Sequence, residues 1–374
     1  MERTPEMKSV AIIGTRGYPS HYGGFETLVR KLSPYLAERG WDVTVYGRPG
    51  SISTTTQPDS RVHQRMTWGI ESRSLSTLTY GLTSCIDATI RRPDVALVMN
   101  VANGYWLPLL NLRGIPSVVN VDGIEWEREK WSRTGRRVFH IGARLTSRHA
   151  SRLVCDAEAI AQRWALDFKS SESDVIPYGG DPLAEVIAPE PGLRHRGYVL
   201  YVARFVPENS VAEFLHAARI LSTRYDVVIV GSSGYGGEVE EQVRRLVQEE
   251  PRVRWLGHVS DDRRLLGLWA NAGAYFHGHS VGGTNPALVQ AMACGAPIVA
   301  RDTIYNREVL GESGTFSTSE PAQIVESVDW MMSAPARQTT ASSAALRRAR
   351  ETYTWDSVCA AYERSLEAAV GPSS

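Results

Sequence analysis

Residues 274–300 confine the chain to a parallel α/β architecture more tightly than any other stretch. Ala274, Tyr275 and Phe276 are apolar enough for a short buried strand, and residues 278–284 form a loop holding three glycines. Asn285 and Pro286 then read as N-cap and first helical residue, because an Asn side chain accepts an orphan N–H and Pro has none to lose. The helix is expected to reach Cys294, with Gly295 as its left-handed stop and Pro297 opening the next strand. A strand, glycine loop, helix and strand in that order bring backbone N–H groups and a positive helix end to one crevice, which suits a phosphate. His277 and His279 flank the loop as further donors. The same residues also suit a tight turn in which Gly282 and Gly283 relieve crowding and the histidines lie on the surface.

The alternation extends over the whole chain. Strands are expected at 10–13, 42–46, 93–100, 115–121 and 153–155, and again at 198–203, 226–230 and 253–256. Helices are expected at 25–39, 75–91, 211–223, 238–250, 261–270, 321–332, 341–351 and 355–369. Pro34 predicts a kink or early break in the first helix. Residues 49–62 are polar and read as a loop. The fold class is α/β, two Rossmann-like doubly wound domains, with residues 1–180 as the first, 181–196 as a Pro- and Gly-containing linker, and 197–352 as the second. The loop after the first strand is not G-x-G-x-x-G, since Gly14 and Gly17 have the wrong spacing, and this disfavours an NAD-dependent oxidoreductase.

With 374 residues the chain has room for two cores, and 41 basic against 41 acidic side chains leave no net field to recruit nucleic acid. Cys85, Cys155, Cys294 and Cys359 form no C-x-x-C pair, so neither zinc nor a disulfide framework is expected, and a cytoplasmic location fits. No stretch has the apolar length of a signal peptide or membrane span. Residues 126–152 interleave Arg with Trp126, Trp131 and Phe139, the pattern of a basic amphipathic helix on anionic lipid or of a solvated helix face. Asp122 and Glu125 follow a strand end, where α/β sheets place ligands; Asp122 could equally cap the next turn.

In order, Gly23-Gly24, Arg204, Gly257-His258, the segment QAMACGAPIV (290–299) and YTWDSV (353–358) resemble the retaining glycosyltransferases of the GT-B fold, family four. IIGTRGYPSHYGGFET (12–27), NVDGIEW (120–126) and HGHSVGGTNP (277–286) resemble more narrowly a bacterial rhamnosyltransferase-like subgroup of polysaccharide assembly. The resemblance implies two domains facing across a cleft, the first binding the acceptor and the second the nucleotide-sugar, with the helix 353–370 returning to the first.

By the same resemblance Gly23 and Gly24 approach the donor diphosphate and Arg204 neutralises it as it leaves. Asn209, His258, His279, Gly282, Gly283, Thr284 and Asn285 line the donor, and Gln290 meets the ribose. Asp122 acts at the acceptor hydroxyl or the sugar ring, with Arg16, Tyr22 and Glu125 on the acceptor side. No metal and no cofactor are expected. Donor and acceptor would be dTDP-rhamnose and a glycan, lipid-linked at the inner membrane face. Two family glutamates are replaced by Gly282 and Gln290, and a lysine by Asn209. These departures keep open a non-catalytic nucleotide-sugar-binding protein, a UDP- or GDP-sugar transferase and an epimerase.

Overall fold

The structure is a computed structural model of the chain. It describes residues 7–20, 23–51, 57–72, 75–128, 131–169, 173–234 and 236–371. Two compact units emerge, one of residues 1–177 with 355–374, the other of residues 178–354.

The first unit alternates β1 (Ser9–Ile13), α1 (Gly24–Glu38), β2 (Asp42–Gly47), β3 (Val62–Met66), α2 (Ser76–Arg91) and β4 (Val95–Met99). It continues through α3 (Leu107–Asn111), β5 (Ser117–Asn120), α4 (Arg133–His149), β6 (Arg152–Cys155), α5 (Glu158–Phe168) and β7 (Ser173–Val175). The seven strands lie in the order β3-β2-β1-β4-β5-β6-β7, every neighbouring pair parallel. β4 and β5 are buried at every residue, the signature of a strand covered on both faces. α1 runs on through Pro34 without the expected break, its apolar face of Leu28, Val29, Leu32 and Leu36 sealed against the sheet.

The second unit contains β8 (Tyr198–Val202), α6 (Val211–Leu221), β9 (Asp226–Val230), α7 (Glu238–Glu249), β10 (Val253–Trp255) and α8 (Asp262–Asn271). After them come β11 (Ala274–His277), α9 (Pro286–Ala293), β12 (Ile298–Arg301), α10 (Ile304–Leu310), β13 (Thr315–Ser317), α11 (Pro321–Met332) and α12 (Pro335–Thr352). Its six parallel strands run β10-β9-β8-β11-β12-β13. Tyr201, Phe214 and Phe276 stack nearly parallel between β8, α6 and β11, with centroids 4.4 and 5.5 Å apart. Fully burying side chains of this size contributes about 1.5–3 kcal/mol each.

Residues 181–196, expected as a linker, lie against the second unit. Glu185 pairs with Arg263, Glu190 with Arg264, and Asn271 donates to the Ile187 carbonyl. The last helix, α13 (Trp355–Val370), belongs to the first unit, where Lys8 pairs with Glu367 and Ser365 donates to Asp174.

Candidate functional site

Both sheets reverse their order at one point, between β1 and β4 in the first unit and between β8 and β11 in the second. At such a switch the two flanking loops leave in opposite directions and open a crevice beyond the strand ends. Of the sequence-predicted residues, Arg16, Gly23 and Gly24 follow β1, and Arg204, Asn209, His279, Gly282, Gly283, Thr284 and Asn285 follow β8 or β11, whereas Asp122 and Glu125 follow β5, His258 follows β10 and Gln290 lies within α9.

In the second unit the loop after β8 carries Arg204, Asn209 and Ser210, and the loop after β11 carries Gly278, His279 and Ser280. The two are laced together. Ser210 donates to the Gly278 carbonyl at 2.8 Å, and the Ser280 N–H reaches the Glu208 carbonyl at 2.9 Å. Gly278 is required here, since a Cβ would meet the Asn209 carbonyl oxygen at 2.3 Å. Asn209 donates to the Arg204 carbonyl and bonds the His279 ring through Oδ1, so Nδ1 of His279 carries the proton. Asn306, absent from the sequence reading, donates to both the His279 and Arg301 carbonyls. Arg204 is exposed and has no ion-pair partner among the described residues, and His258 is exposed as well.

His277 differs from expectation. It is only 3% exposed on β11, shares a hydrogen bond with the Tyr275 hydroxyl at 3.0 Å, and leaves Nε2 without a partner. Burial holds its pKa down at about 3, so it stays neutral and packs inside the sheet instead of reaching an outside phosphate.

The anion donors also sit elsewhere than the helix end alone suggests. Asn285 caps α9 through Oδ1 to the Ala287 N–H at 2.9 Å, and its carbonyl accepts from Leu288 and Val289. Pro286 has no N–H, so the first turn of α9 is satisfied internally. The backbone N–H groups of Gly282, Gly283 and Asn285 donate to nothing among the described residues. They make the loop itself the open donor set, beside the buried Thr284. Gln290 is also committed. Its Nε2 donates to the Asp181 carbonyl at 2.8 Å, and its Oε1 accepts the Asp181 N–H at 3.0 Å. Such two-way pairing with a peptide group suits an amide and not a carboxylate.

In the first unit, Gly14 lies so close to β4 that a Cβ would meet the Met99 carbonyl oxygen at 2.4 Å. The loop continues through Arg16, whose N–H donates to Glu26, and Gly23 is the N-cap of α1. The N–H groups of Gly24, Phe25 and Glu26 have no acceptor among the described residues, leaving α1 with an open N-terminus. Tyr22 lies outside the described residues.

Asp122 follows β5 with φ of 54°, a left-handed conformation uncommon outside glycine, and its N–H is held by the Asn120 side chain at 3.0 Å. Asn120 in turn donates to the Tyr362 hydroxyl of α13 at 2.6 Å. Sequence reading missed this support, because the partners are far apart in the chain. Strain of this kind, held by surrounding bonds, is typical of functional positions.

Glu125 faces inward. It is 1% exposed, ion-paired with Arg128 at 2.6 Å and accepts from the Trp131 indole at 2.9 Å, a role that fixes the loop before α4. The aromatic residues of 126–152 turn inward too: Trp126 packs on His140, Trp164 and Phe168, and Trp131 on Phe139. What α4 exposes is a stripe of Arg133, Arg137, Arg144 and Arg148, on a helix without one acidic residue. All four cysteines are buried thiols, their pKa pushed up to about 12.

Residues 22–182 match the family described as Glycosyltransferase Family 4, and residues 188–348 that described as Glycosyl transferases group 1. The chain is similar to the MMP alpha-(1->4)-mannosyltransferase of Mycolicibacterium hassiacum, 24% identical with 96% of this chain and 98% of that protein covered. It is 29% identical over 126 residues to O-antigen chain mannosyltransferase B of Escherichia coli, a match spanning only 33% of either protein. Among solved structures, sucrose-phosphate synthase from Thermosynechococcus elongatus aligns with a TM-score of 0.77 at 18% identity, over 96% of this chain and 98% of that one. Anabaena HepE in complex with UDP and glucose aligns with a TM-score of 0.75 at 18% identity, over 96% and 99%. At such identity the structural likeness establishes the fold.

Proposed function

The chain belongs to family four of the GT-B glycosyltransferases, and we propose that it is a retaining, metal-independent enzyme moving L-rhamnose from dTDP-rhamnose to a hydroxyl of a growing, lipid-linked glycan. The observation that carries the donor assignment is Gln290. With its amide tied at both ends to the Asp181 peptide, it offers no carboxylate to a ribose. A nucleotide with one sugar hydroxyl fewer then gives up less, which favours dTDP.

In this reading the N–H groups of Gly282, Gly283 and Asn285, with His279, hold the donor phosphates. Arg204 meets the charge that builds on the diphosphate as the glycosidic bond breaks. Gly23 and Gly24 leave the N-terminus of α1 open as an anion contact of the first unit. Asp122 accepts the acceptor proton or stabilises positive charge on the sugar ring. The arginine stripe of α4 rests on the anionic inner face of the membrane where the lipid-linked acceptor resides. No helix among the described residues is long and apolar enough to cross a membrane.

A second reading, a mannosyltransferase using GDP-mannose, is favoured by the names of the relatives. Thermal stabilisation of the full chain by dTDP, UDP, GDP, ADP and NAD at equal excess separates the two. A ligand at 100 times its Kd adds about 2.7 kcal/mol, a readable shift. A selective shift with dTDP supports rhamnose. A selective shift with GDP replaces it by mannose, and a shift with NAD alone overturns the transferase. Turnover of dTDP-rhamnose in EDTA tests metal independence: activity lost in chelator and restored by a divalent ion refutes it. Transfer to an acceptor excludes a non-catalytic binder, and release of a free altered sugar without acceptor indicates an epimerase.

A further inference from the structure

α2 is amphipathic in the wrong sense for a helix in water. Inward it buries small side chains, Ser76, Gly81, Ser84, Cys85 and Ala88. Outward it shows Leu75, Ile86 and Ile90, the last 71% exposed. With the part-exposed Leu82 these residues form one stripe along the helix, about 22 Å long at 1.5 Å per residue. Residues 67–70 run alongside it. Thr83 donates to the Trp68 carbonyl at 2.6 Å and the Ile70 N–H donates to Thr79 at 2.9 Å, which sets the 71% exposed Trp68 and Ile70 beside the stripe. Among the described residues fifteen large apolar side chains are exposed, and six of them fall from Met66 to Ile90, so this is a patch and not the scattered exposure ordinary to a surface. Asp87, the one acid of α2, is turned to the sheet edge, bonded to Tyr46 and ion-paired with Arg65 and Arg91. Glu71, ahead of α2, faces Arg48 and Tyr80.

The patch adjoins the arginine stripe. The connections from β3 to β4, β4 to β5 and β5 to β6 step the same way across the first sheet, so right-handed crossovers put α2, α3 and α4 on one face. Trp106 donates to the Leu78 carbonyl of α2 at 3.0 Å and Tyr105 to the Val138 carbonyl of α4 at 2.9 Å. Asn111 of α3 donates to the His149 carbonyl of α4 at 2.9 Å, which completes the layer. Leu112, 82% exposed, ends α3, and Ile141 lies among the arginines of α4. Neither residues 95–121 nor residues 130–155 include an acidic side chain. An apolar stripe beside a cationic one, with no carboxylate on α3 or α4, complements the acyl and headgroup layers of an anionic leaflet. A two-fold dimer through this face would set the same acid-free arginines on both sides.

We infer that the outward stripe of α2, with Trp68 and Leu112, inserts below the headgroups of an anionic leaflet while the α4 arginines contact the phosphates. The inference rests on the membrane contact proposed for α4 and adds an apolar anchor to it. Attachment then has one part that salt screens and one that it does not.

The full chain is sedimented with vesicles of phosphatidylcholine and phosphatidylserine at about 0.1 M and about 1 M salt, between which the Debye length shrinks from about 10 to about 3 Å. Wild-type binding weakens at the higher salt and persists. Ile86→Ser combined with Ile90→Ser, at exposed positions that leave folding intact, weakens binding about tenfold or more at low salt and leaves none at high salt. Vesicles with brominated acyl chains quench the wild-type tryptophan emission, and Trp68→Phe loses most of that quenching while still binding. Sedimentation that vanishes at high salt, with equal quenching of wild type and Trp68→Phe, overturns the anchor and leaves the α4 contact standing. Salt-resistant binding that the double serine variant loses and charge reversal at Arg137 and Arg144 does not alter keeps the anchor and removes the α4 contact. No sedimentation at either salt removes both. A wild type that is dimeric in the ultracentrifuge, and monomeric with both serines, assigns the stripe to a second copy of the chain and overturns the inference.

Discussion

The two-way pairing of Gln290 with the Asp181 peptide makes Gln290→Glu a discriminating perturbation. The glutamine donates from Nε2 at 2.8 Å and accepts at Oε1 at 3.0 Å. An ionised glutamate keeps the second bond and sets an oxygen against the Asp181 carbonyl in place of the first. Losing a neutral hydrogen bond costs about 1 kcal/mol, and leaving its acceptor facing a charge adds about 1–3 kcal/mol. The expected loss at pH 7.5 is therefore about 2–4 kcal/mol, or roughly 4–16 °C in Tm for a unit of this size. A protonated glutamate can donate again, so the folded state holds this proton more tightly than the unfolded chain and the pKa rises above about 4.3. Between those two values the folded state binds more protons than the unfolded, so the variant's stability falls as pH rises. Scanning calorimetry of the full chain at pH 4.5 and 7.5 checks both parts. Gln290→Ala, without a charge, gives a loss that is the same at both pH values. A Gln290→Glu variant as stable as wild type at pH 7.5, or a deficit that does not shrink at pH 4.5, refutes the clamp.

Three further outcomes are expected. Asp122→Asn tolerates the left-handed backbone, so it should fold with wild-type stability while losing about 10²–10⁴-fold in kcat in a transfer assay; Tyr362→Phe, which frees Asn120, should lower kcat more mildly with the donor KM unchanged. His277 has a folded pKa of about 3 against about 6.5 unfolded, so the unfolded chain binds the extra proton and stability falls with pH below 6.5. The loss reaches about 2 kcal/mol by pH 5, and chemical denaturation of His277→Asn should show that much less acid sensitivity. Reversing charge at Arg137 and Arg144 should reduce co-sedimentation with phosphatidylserine vesicles and leave transfer to a soluble acceptor intact, whereas equal sedimentation removes the membrane contact.

The parts of the molecule legible in the sequence were those written over short distances. The alternation of apolar runs with amphipathic helices, the Asn285-Pro286 helix start and the buried character of β4 and β5 depend on neighbours within about ten residues. Elements without that local signal escaped. β3 has an exposed, polar pattern at the sheet edge, and α10 is too short to show a helical period.

The sequence by itself determined the parallel α/β class, the loop that offers donors to an anion and the identity of the side chains gathered there. Tertiary structure alone decided which of them are available. It buried His277 and left His279 beside Asn209, turned Glu125 inward to Arg128 and Trp131, and closed the Gln290 amide on a peptide 109 residues away. It also tied Asp122 through Asn120 to Tyr362, 242 residues beyond that asparagine. The physical reason is that exposure and hydrogen-bond partnership belong to pairs of segments. A residue's type says what it can donate or accept, and only the fold brings up the group that takes the bond first.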